Sequence, residues 1–329
     1  MEPNELFSKQ NFITLSAKVN ELAKSQSWMQ LHGTEILHLA LRFLGFGAGF
    51  ALFAQTGLIF KILGILIMGY FYVSISVTGT HQTRHDSLIK SKTANQILAY
   101  ILGDFWTNQS NHWWFHRHVV EHHTFTNMPD RDPPNFFYPW LNKYLYFFLA
   151  PLVTPFWLLV NSLHFLITKK RYAQIPAHLL ISAAGWIAQV YALNFFTSNL
   201  GWAILSAYAV RVIFAPMFMH IAVFNHIGLE SPETKLPWLP HQTKTTRNLK
   251  TNRFIALFGG SALVDCHIEH HLFPNLPDNI LPKIQPILRE FLKKEGYNYH
   301  EDGYLFLLKN CLKYYEQVFK YNERPWDAV

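Results

Sequence analysis

The sequence predicts an all-α integral membrane protein: four transmembrane helices, interfacial helices and a cytosolic helical cap that holds a polyhistidine di-metal site. Three observations lead to this prediction. Several apolar runs reach about 20 residues, the length that a helix needs to cross a bilayer. Only 15% of the 329 residues are charged, whereas a typical soluble domain has roughly 25%. Nine of the 18 histidines fall into three short clusters, which indicates a metal site.

Four segments are long and apolar enough to be predicted as membrane spans: 35–54, 57–79, 177–196 and 201–224. The connections inside the two pairs are short and contain neither Lys nor Arg. The N-terminus, the middle of the chain and the C-terminal third are rich in both. The positive-inside rule therefore predicts a multi-pass protein whose termini, long segments and active site lie in the cytosol.

A fifth apolar segment, 144–168, also has the length of a span. If it crossed the bilayer, three crossings would separate the second and third histidine clusters and place them on opposite sides of the membrane. A shared metal site requires an even number of crossings. We therefore expect an interfacial or re-entrant helix that is broken near Pro151 and Pro155.

The segments outside the membrane are predicted to form one cytosolic cap, built from 81–135 and 230–320, so that 1–329 is a single domain. In the second of these segments, apolar residues recur at helical spacing and indicate an amphipathic helix with one buried face. These residues are Leu281, Ile284, Leu288 and Phe291. Gly296 follows them and is expected to end the helix.

Each histidine cluster spaces its imidazoles about one helical turn apart, so that a helix would aim them at one point. The adjacent pairs His122/His123 and His270/His271 differ by about 100° around a helix, so each pair reaches two neighbouring metal ions. Imidazole suits iron, copper, zinc and nickel rather than calcium or magnesium. The predicted metal ligands are His81, His85, His118, His122, His123, His226, His267, His270 and His271.

Ligating histidines usually donate a hydrogen bond from their second ring nitrogen to a carboxylate or a carbonyl group. Polar residues inside or beside the clusters are predicted to take this supporting role: Asp86, Glu121, Asp265, Glu269 and Asn225. His116 shares a helix face with His123, but Trp114 and Arg117 beside it fit a packing role equally well, so its assignment as a ligand stays open. No catalytic side chain is predicted beyond the metal centre.

The three clusters are histidine boxes with the patterns HX3H (HQTRH, 81–85), HX3HH (HVVEHH, 118–123) and HX2HH (HIEHH, 267–271). Their order and spacing resemble the membrane fatty acid desaturases. Trp113-Trp114 before the second box, Thr126-Asn127 after it and the sequence HHLFPNLP from 270 onwards resemble the acyl-lipid and front-end branch. The resemblance covers about residues 34–316.

This resemblance implies a fold of four spans with a cytosolic cap, a non-haem centre of two iron ions and O2 as co-substrate. It implies an enzyme that introduces a cis double bond into the acyl chain of a membrane lipid or an acyl thioester. Electrons come from an outside donor in this family. The resemblance thus implies that the metals are iron and that the reaction is the desaturation of an acyl chain.

Two features depart from the front-end pattern. The first position of the third box is His267, where front-end enzymes usually have Gln. The His-Pro-Gly-Gly motif of a fused cytochrome b5 domain does not occur in the sequence. We therefore expect a separate ferredoxin or cytochrome b5 as donor, and this favours a bacterial inner membrane over the endoplasmic reticulum. Basic residues are expected to dock an acidic donor or contact lipid headgroups, among them Lys244, Arg247, Lys250 and Arg253.

Other functions compete with the desaturase interpretation. A hydroxylase or another lipid-modifying oxygenase uses the same histidine boxes, and a histidine-rich metal transporter is a different class altogether. A transporter would place its ligands at mid-membrane, whereas these boxes lie at predicted cytosolic ends of spans. The net charge of +7 is not concentrated in one patch, so nucleic acid is not an expected partner. Arg211, inside the fourth predicted span, is a further functional candidate.

Overall fold

The computed structural model describes residues 3–133 and 141–327, which are predominantly helical. The last two residues of the predicted cap segment 81–135 lie outside these ranges. The chain forms two compact units, and each is considered by itself. The membrane unit contains Ile36–Arg117 and Phe147–Phe218, and the cap unit contains Met1–Glu35, His118–Tyr146 and Met219–Val329.

The secondary structure consists of α-helices, short π- and 3-10 helices and two strands. In chain order the α-helices and strands are α1 (Pro3–Lys24), α2 (Thr34–Phe53), α3 (Leu58–Arg84), α4 (Lys92–Ala99), α5 (Asn111–Trp114), α6 (His123–Phe125), α7 (Thr154–Thr168), α8 (Ile175–Thr197), α9 (Leu200–Val212), α10 (Ala215–Phe224), α11 (Trp238–Thr245), β1 (Arg247–Lys250), α12 (Arg253–Gly259), α13 (His267–Leu272), α14 (Leu281–Lys294), β2 (His300–Gly303), α15 (Tyr304–Lys313) and α16 (Tyr315–Lys320). The π-helices are Met29–Gly33, Tyr100–Phe105, Phe115–His122 and Leu145–Leu149, and the 3-10 helices are Ala150–Val153, Tyr172–Gln174, Asp278–Ile280 and Pro325–Asp327.

Five helices of the described residues are long and apolar enough to cross a membrane, judged by length and composition: Met29–Phe53, Leu58–Arg84, Leu145–Thr168, Tyr172–Thr197 and Leu200–Phe224. Four of them coincide with the predicted spans. The remaining one is the segment that we expect to be interfacial or re-entrant, so the count of four spans stays a prediction. Its helix type changes at the 3-10 turn Ala150–Val153, which contains Pro151, and Pro155 is the second residue of the α-helix that follows.

Arg211 holds three helices of the membrane unit together. Its guanidinium is buried and donates hydrogen bonds to Gln189 Oε1 at 2.8 Å, Tyr72 Oη at 2.9 Å and the Trp106 carbonyl at 3.0 Å. The Trp186 ring lies 4.1 Å from the guanidinium carbon. Because these partners come from α3, α8 and the turn after the Tyr100–Phe105 helix, Arg211 has a structural role in this unit.

The core of the cap unit is built on α14. Its predicted apolar face is buried, and Leu15 and Val19 of α1 lie in the same hydrophobic cluster. The helix ends at Lys294, and Gly296 follows with a φ of +74°, a conformation that favours glycine. The sequence pattern therefore located both the buried face and the end of this helix.

A small parallel sheet also stabilises the cap unit. Strand β1 pairs with β2 in the register Arg247↔His300 to Lys250↔Gly303. Arg247 is fully buried: its Nε lies 3.2 Å from Asp302 Oδ2, and its guanidinium donates to the Phe224 carbonyl at 3.0 Å. The expectation that Arg247 belongs to an exposed basic docking face is therefore wrong, because this side chain neutralises a carboxylate inside the cap unit.

Candidate metal centre

Four histidines of the cap unit converge on one point. His122, His226, His267 and His271 each offer a ring nitrogen, and these nitrogens all lie within 4.8 Å of one another. The four residues come from the second box, the loop after α10 and helix α13. His267 and His271 are four residues apart on α13, so they lie on one face of the helix, as their spacing predicts.

Residues 118–122 of the second box lie on a π-helix and not on the α-helix that their spacing suggested, and His123 begins α6. In the Phe115–His122 helix the hydrogen bonds join residues five apart, so residues at both four and five positions lie close together. The His118 ring lies 5.1 Å from that of His122 and 5.0 Å from that of His123. The wider π-helical turn therefore places the His118 ring beside the rings of both His122 and His123.

The Nδ1 atom of each of the four histidines has a hydrogen-bond acceptor at close range. The acceptors are Asp132 Oδ2 for His122 at 2.7 Å, the Thr245 carbonyl for His226 at 2.9 Å, the Ala262 carbonyl for His267 at 2.7 Å and Gln242 Oε1 for His271 at 2.8 Å. A carbonyl oxygen only accepts, so His226 and His267 carry their protons on Nδ1. Their Nε2 lone pairs are then available for a ligand.

The Nε2 atoms fit a cation. Those of His226 and His267 lie 3.0 Å apart, although each is an acceptor once Nδ1 carries the proton. His271 Nε2 is buried without a hydrogen-bond partner among the described residues. Lone pairs directed at one buried point repel each other unless a positive charge lies between them. The donor set therefore fits a transition metal that prefers imidazole.

Burial favours the neutral form of His226 and His271. It lowers the pKa of His226 well below its usual value, and the neighbouring His122 and His267 lower it further. Burial likewise lowers the pKa of His271, with His123 and His267 adding to the effect. A metal binds the neutral imidazole, so these shifts favour metal binding at neutral pH.

The remaining box residues form a second group in the cap unit and a pair in the membrane unit. His118, His123 and His270 offer nitrogens within 4.8 Å of one another, and the Nε2 atoms of His123 and His270 lie 3.2 Å apart. In the membrane unit, the rings of His81 and His85 lie 4.7 Å apart at the end of α3. Both rings of this pair are buried.

The predicted supporting residues have other partners than expected. Glu269 accepts hydrogen bonds from Tyr299 Oη at 2.6 Å and Asn248 Nδ2 at 2.9 Å and does not bond to a histidine of its own box. Its burial raises the pKa of this carboxyl to about 7, and the two hydrogen bonds oppose the rise. Asn225 donates to the Leu263 carbonyl at 2.8 Å. Asn225 thus holds the cap backbone beside the third box, and Glu269 joins α13 to the side chains of Asn248 and Tyr299.

The other predicted residues at the boxes have varied surroundings. Asp86 and Asp265 are exposed, and Glu121 is half-buried. A supporting role for Glu121 stays a prediction. The His116 ring packs 5.2 Å from that of Phe165 in the membrane unit, which agrees with the packing interpretation of this residue.

Sequence reasoning missed two residues that contact the histidines able to hold a metal. Asp132 lies ten residues beyond His122, and Gln242 lies in α11, far from every box. Gln242 also donates its Nε2 to the His123 carbonyl at 2.8 Å. The turn-forming sequence around Asp132 gave no sign of a metal site, and Gln242 is isolated in the sequence. Only the tertiary structure brings these two side chains to the histidines.

Apolar helices of spanning length and two groups of mostly buried histidines define the class of this molecule: a membrane protein with a polyhistidine site able to bind metal. The family model for fatty acid desaturase matches residues 56–303. The chain therefore belongs to the fatty acid desaturase family and is an oxidoreductase. The resemblance seen in the three boxes is confirmed.

Several relatives are similar over most of the chain. Fatty acid desaturase 6 of Mus musculus is 30% identical and covers 92% of this chain and 90% of its own length. Fatty acid desaturase 6 of Bos taurus is 28% identical with the same two coverages of 92% and 90%. The Delta(5) fatty acid desaturase fat-4 of Caenorhabditis elegans is 27% identical over 68% of this chain and 56% of that protein.

Proposed function

We propose that this protein is an O2-dependent fatty acyl desaturase that introduces a cis double bond through a non-haem di-iron centre. The single observation that carries the proposal is the convergence of four imidazoles, three of them buried, with two Nε2 atoms 3.0 Å apart. Family membership adds the acyl substrate, and an all-imidazole donor set suits iron. The proposed substrate is an acyl chain carried by a membrane lipid or a thioester.

The proposed ligand set divides into two groups. His122, His226, His267 and His271 would hold one iron, supported by their common geometry within the cap unit. His118, His123 and His270 would hold the other. We propose that His81 and His85 complete this second set, on the ground that the first box belongs with the other two in the family pattern. These are the nine ligands predicted from the sequence.

The residues of the chain have defined tasks in this chemistry. Removal of hydrogen from an unactivated methylene exceeds the strength of any side-chain acid or base, and two bound irons would supply the redox capacity for it. Asp132 and Gln242 fix the orientation and the proton position of His122 and His271. Burial keeps His226 and His271 neutral and limits the access of water to them. Two electrons from the acyl chain and two from the donor would reduce O2 to two water molecules.

The remaining parts of the proposal concern topology and partners. We propose that the termini and the metal centre face the cytosol, as the distribution of Lys and Arg predicts, and that a ferredoxin or a cytochrome b5 supplies the electrons. Lys250 and Arg253 stay exposed for such a contact, whereas Lys244 is partly engaged by Glu230 at 3.0 Å. We also propose a bacterial inner membrane as the location.

The test is gas chromatography–mass spectrometry of total fatty acids from a host that expresses the protein with a competent electron donor. We expect a new unsaturated peak with the wild type and none with His270→Ala. His164→Ala, which changes an exposed histidine outside the boxes, is the matched control and should retain the product. A product heavier by one oxygen would identify a hydroxylase. No new product from an iron-loaded wild type would contradict acyl oxidation.

A further inference from the structure

Strand β1 and the chain just before it bond to the segment that carries His226. The Thr245 carbonyl accepts a hydrogen bond from His226 Nδ1 at 2.9 Å. Arg247 donates its backbone N–H to the Asn225 carbonyl at 2.9 Å and its guanidinium to the Phe224 carbonyl at 3.0 Å. Together these contacts fix the imidazole of His226 and the backbone that leads into it.

The same strand bonds to helix α13, which carries the third box. Leu249 donates its backbone N–H to the Val264 carbonyl at 2.8 Å, shortly before the helix begins. Asn248 Oδ1 accepts a hydrogen bond from the Ile268 N–H at 2.8 Å. The N–H groups of a first helical turn have no partner within the helix, and the side chain of Cys266, at the N-cap position, does not bond to them. Asn248 thus caps α13 from another segment of the chain.

The amide group of Asn248 is enclosed with two further polar side chains. Asn248 Nδ2 donates to Glu269 Oε2 at 2.9 Å and to Tyr299 Oη at 2.9 Å, and Tyr299 Oη donates to Glu269 Oε1 at 2.6 Å. Asn248 is 2% exposed, and Glu269 is fully buried. A buried hydrogen-bonding group that loses its partner costs the full desolvation penalty. Helix α13 therefore cannot turn or slide against β1 without breaking hydrogen bonds at both Ile268 and Glu269.

The two anchored residues of α13 lie between the histidines of the third box. His267 precedes them, and His270 and His271 follow them. His267 and His271 belong to the four-histidine group, whereas His270 belongs to the second group of the cap unit. The position of this one short helix therefore affects both groups.

Strand β1 is a common support for histidines from different segments. Arg247 connects the strand to the His226 segment, and Asn248 connects it to α13. The Nε2 atoms of His226 and His267 lie 3.0 Å apart where these two segments meet. Because ligand distances in a metal site are fixed to about 0.2 Å, a small shift of α13 against the strand would weaken binding.

We propose that Asn248 is a positioning residue of the metal centre. It bonds to no ring nitrogen among the described residues and acts through α13, whose three histidines it holds in place relative to His226. The inference rests on the proposed metal centre and assigns to it a residue outside the histidine boxes. Loss of the Asn248 contacts lowers the metal affinity of both histidine groups, because each group has a member on α13.

The test uses Co(II) as the probe in full-length protein in detergent. Asn248→Asp keeps the shape of the side chain and the acceptor for the Ile268 N–H but places an oxygen atom against the Glu269 carboxylate. We expect the affinity for Co(II), measured by competition with a chelator, to fall about 10–100-fold. The visible absorption of the bound Co(II) should also change, because it depends on the arrangement of the ligands. Asn252→Asp is the matched control, since Asn252 is exposed and caps α12, where Asp serves equally well.

A paired substitution separates positioning from a general loss of stability. Asn248→Asp combined with Glu269→Gln exchanges the donor and the acceptor, so that the hydrogen bond between positions 248 and 269 forms in the opposite direction. The Tyr299 hydroxyl keeps an acceptor at position 269. We expect the pair to recover most of the lost affinity and the wild-type absorption. A residue that only stabilised the cap unit would lower the unfolding midpoint of the metal-free protein but leave both readouts of the folded protein unchanged.

A second measurement needs no substitution. Coupling between two sites is reciprocal, so Co(II) must strengthen the contacts of β1 if these contacts strengthen the binding of Co(II). We expect hydrogen exchange of the wild-type backbone amides at 246–250 to slow when Co(II) is added.

Two results would overturn the positioning role. One is wild-type affinity and absorption in Asn248→Asp, and the other is exchange at 246–250 that Co(II) leaves unchanged. Either result leaves the proposed metal centre intact. If the wild type itself binds no Co(II), the metal centre is contradicted and this inference with it, so the two kinds of failure are distinguishable.

Discussion

The Nε2 atoms of His226 and His267 lie 3.0 Å apart, although 41 positions separate the two residues in the chain. Each residue donates a hydrogen bond from Nδ1 to a backbone carbonyl: His226 to that of Thr245 and His267 to that of Ala262. Two lone pairs therefore face each other inside the cap unit. This relationship is the most direct structural sign of a cation site, and it defines the first prediction.

His267→Ala should lower the iron bound per chain, because it removes one Nε2 donor of the four-histidine group. Iron content is measured by mass spectrometry of the purified protein after equilibration with excess Fe(II). His164→Ala on the exposed side of α7 is the matched control and should bind as much iron as the wild type. An unchanged iron content in His267→Ala would remove this residue from the proposed ligands.

Asp132→Ala should weaken metal binding by about 10–100-fold, the usual effect of losing an outer partner of a ligating histidine. The carboxylate lies 2.7 Å from His122 Nδ1 and orients the ring. Asp130→Ala, two residues earlier and exposed, supplies the control. Competition with a calibrated chelator gives the affinity of each variant, and equal affinities for both would refute an orienting role for Asp132.

Gln242→Met should disturb both histidine groups of the cap unit, since Gln242 contacts His271 through Oε1 and the His123 carbonyl through Nε2. We expect metal affinity to fall and recovery in Gln242→Glu to be partial, because the carboxylate restores only the acceptor for His271. Chelator competition is again the measurement, and Gln285→Met on α14 controls for the substitution itself. Full affinity in Gln242→Met would show that the backbone alone holds the site.

Asn322→Ala should destabilise the cap unit by about 1–3 kcal/mol, because two backbone groups lose their hydrogen bonds. Asn322 accepts from the Gly228 N–H at 2.9 Å and donates to the Leu229 carbonyl at 2.6 Å, just after His226. The measurement is the thermal unfolding midpoint in detergent. Asn310→Ala, whose amide makes only a local helix bond, should be nearly neutral. Identical midpoints would mean that the C-terminal contact does not support the His226 loop.

Arg211→Lys should destabilise the membrane unit by at least about 2 kcal/mol, since an ammonium group cannot replace the separate guanidinium contacts. Gln189, Tyr72 and the Trp106 carbonyl would each lose a charged donor. The unfolding midpoint in detergent reports the loss, and Arg171→Lys at the exposed start of the Tyr172–Gln174 turn is the control. If Arg211→Lys keeps its midpoint but loses product, the residue has a functional role instead.

The features that the sequence predicted well are those that depend on near neighbours in the chain. Apolar runs gave the helices of spanning length, and the spacing within the third box gave the shared face of His267 and His271 on α13. The buried stripe of α14 and its end before Gly296 followed from periodicity and from the backbone freedom of glycine. A residue pattern of this kind is local, so it can be interpreted without knowledge of the tertiary fold.

The features that the sequence did not predict depend on residues that the fold brings together from distant positions in the chain. The π-helical turns of the second box, the burial of Arg247 beside Asp302 and the pairing of Glu269 with Tyr299 left no periodic signal. The polyhistidine character of the site could thus be predicted from the sequence alone, because it depends on the spacing of histidines within short segments. The partners that fix each imidazole were decided only by the tertiary structure, because hydrogen bonds such as Gln242 to His271 form between segments whose separation in the chain carries no information about their contact.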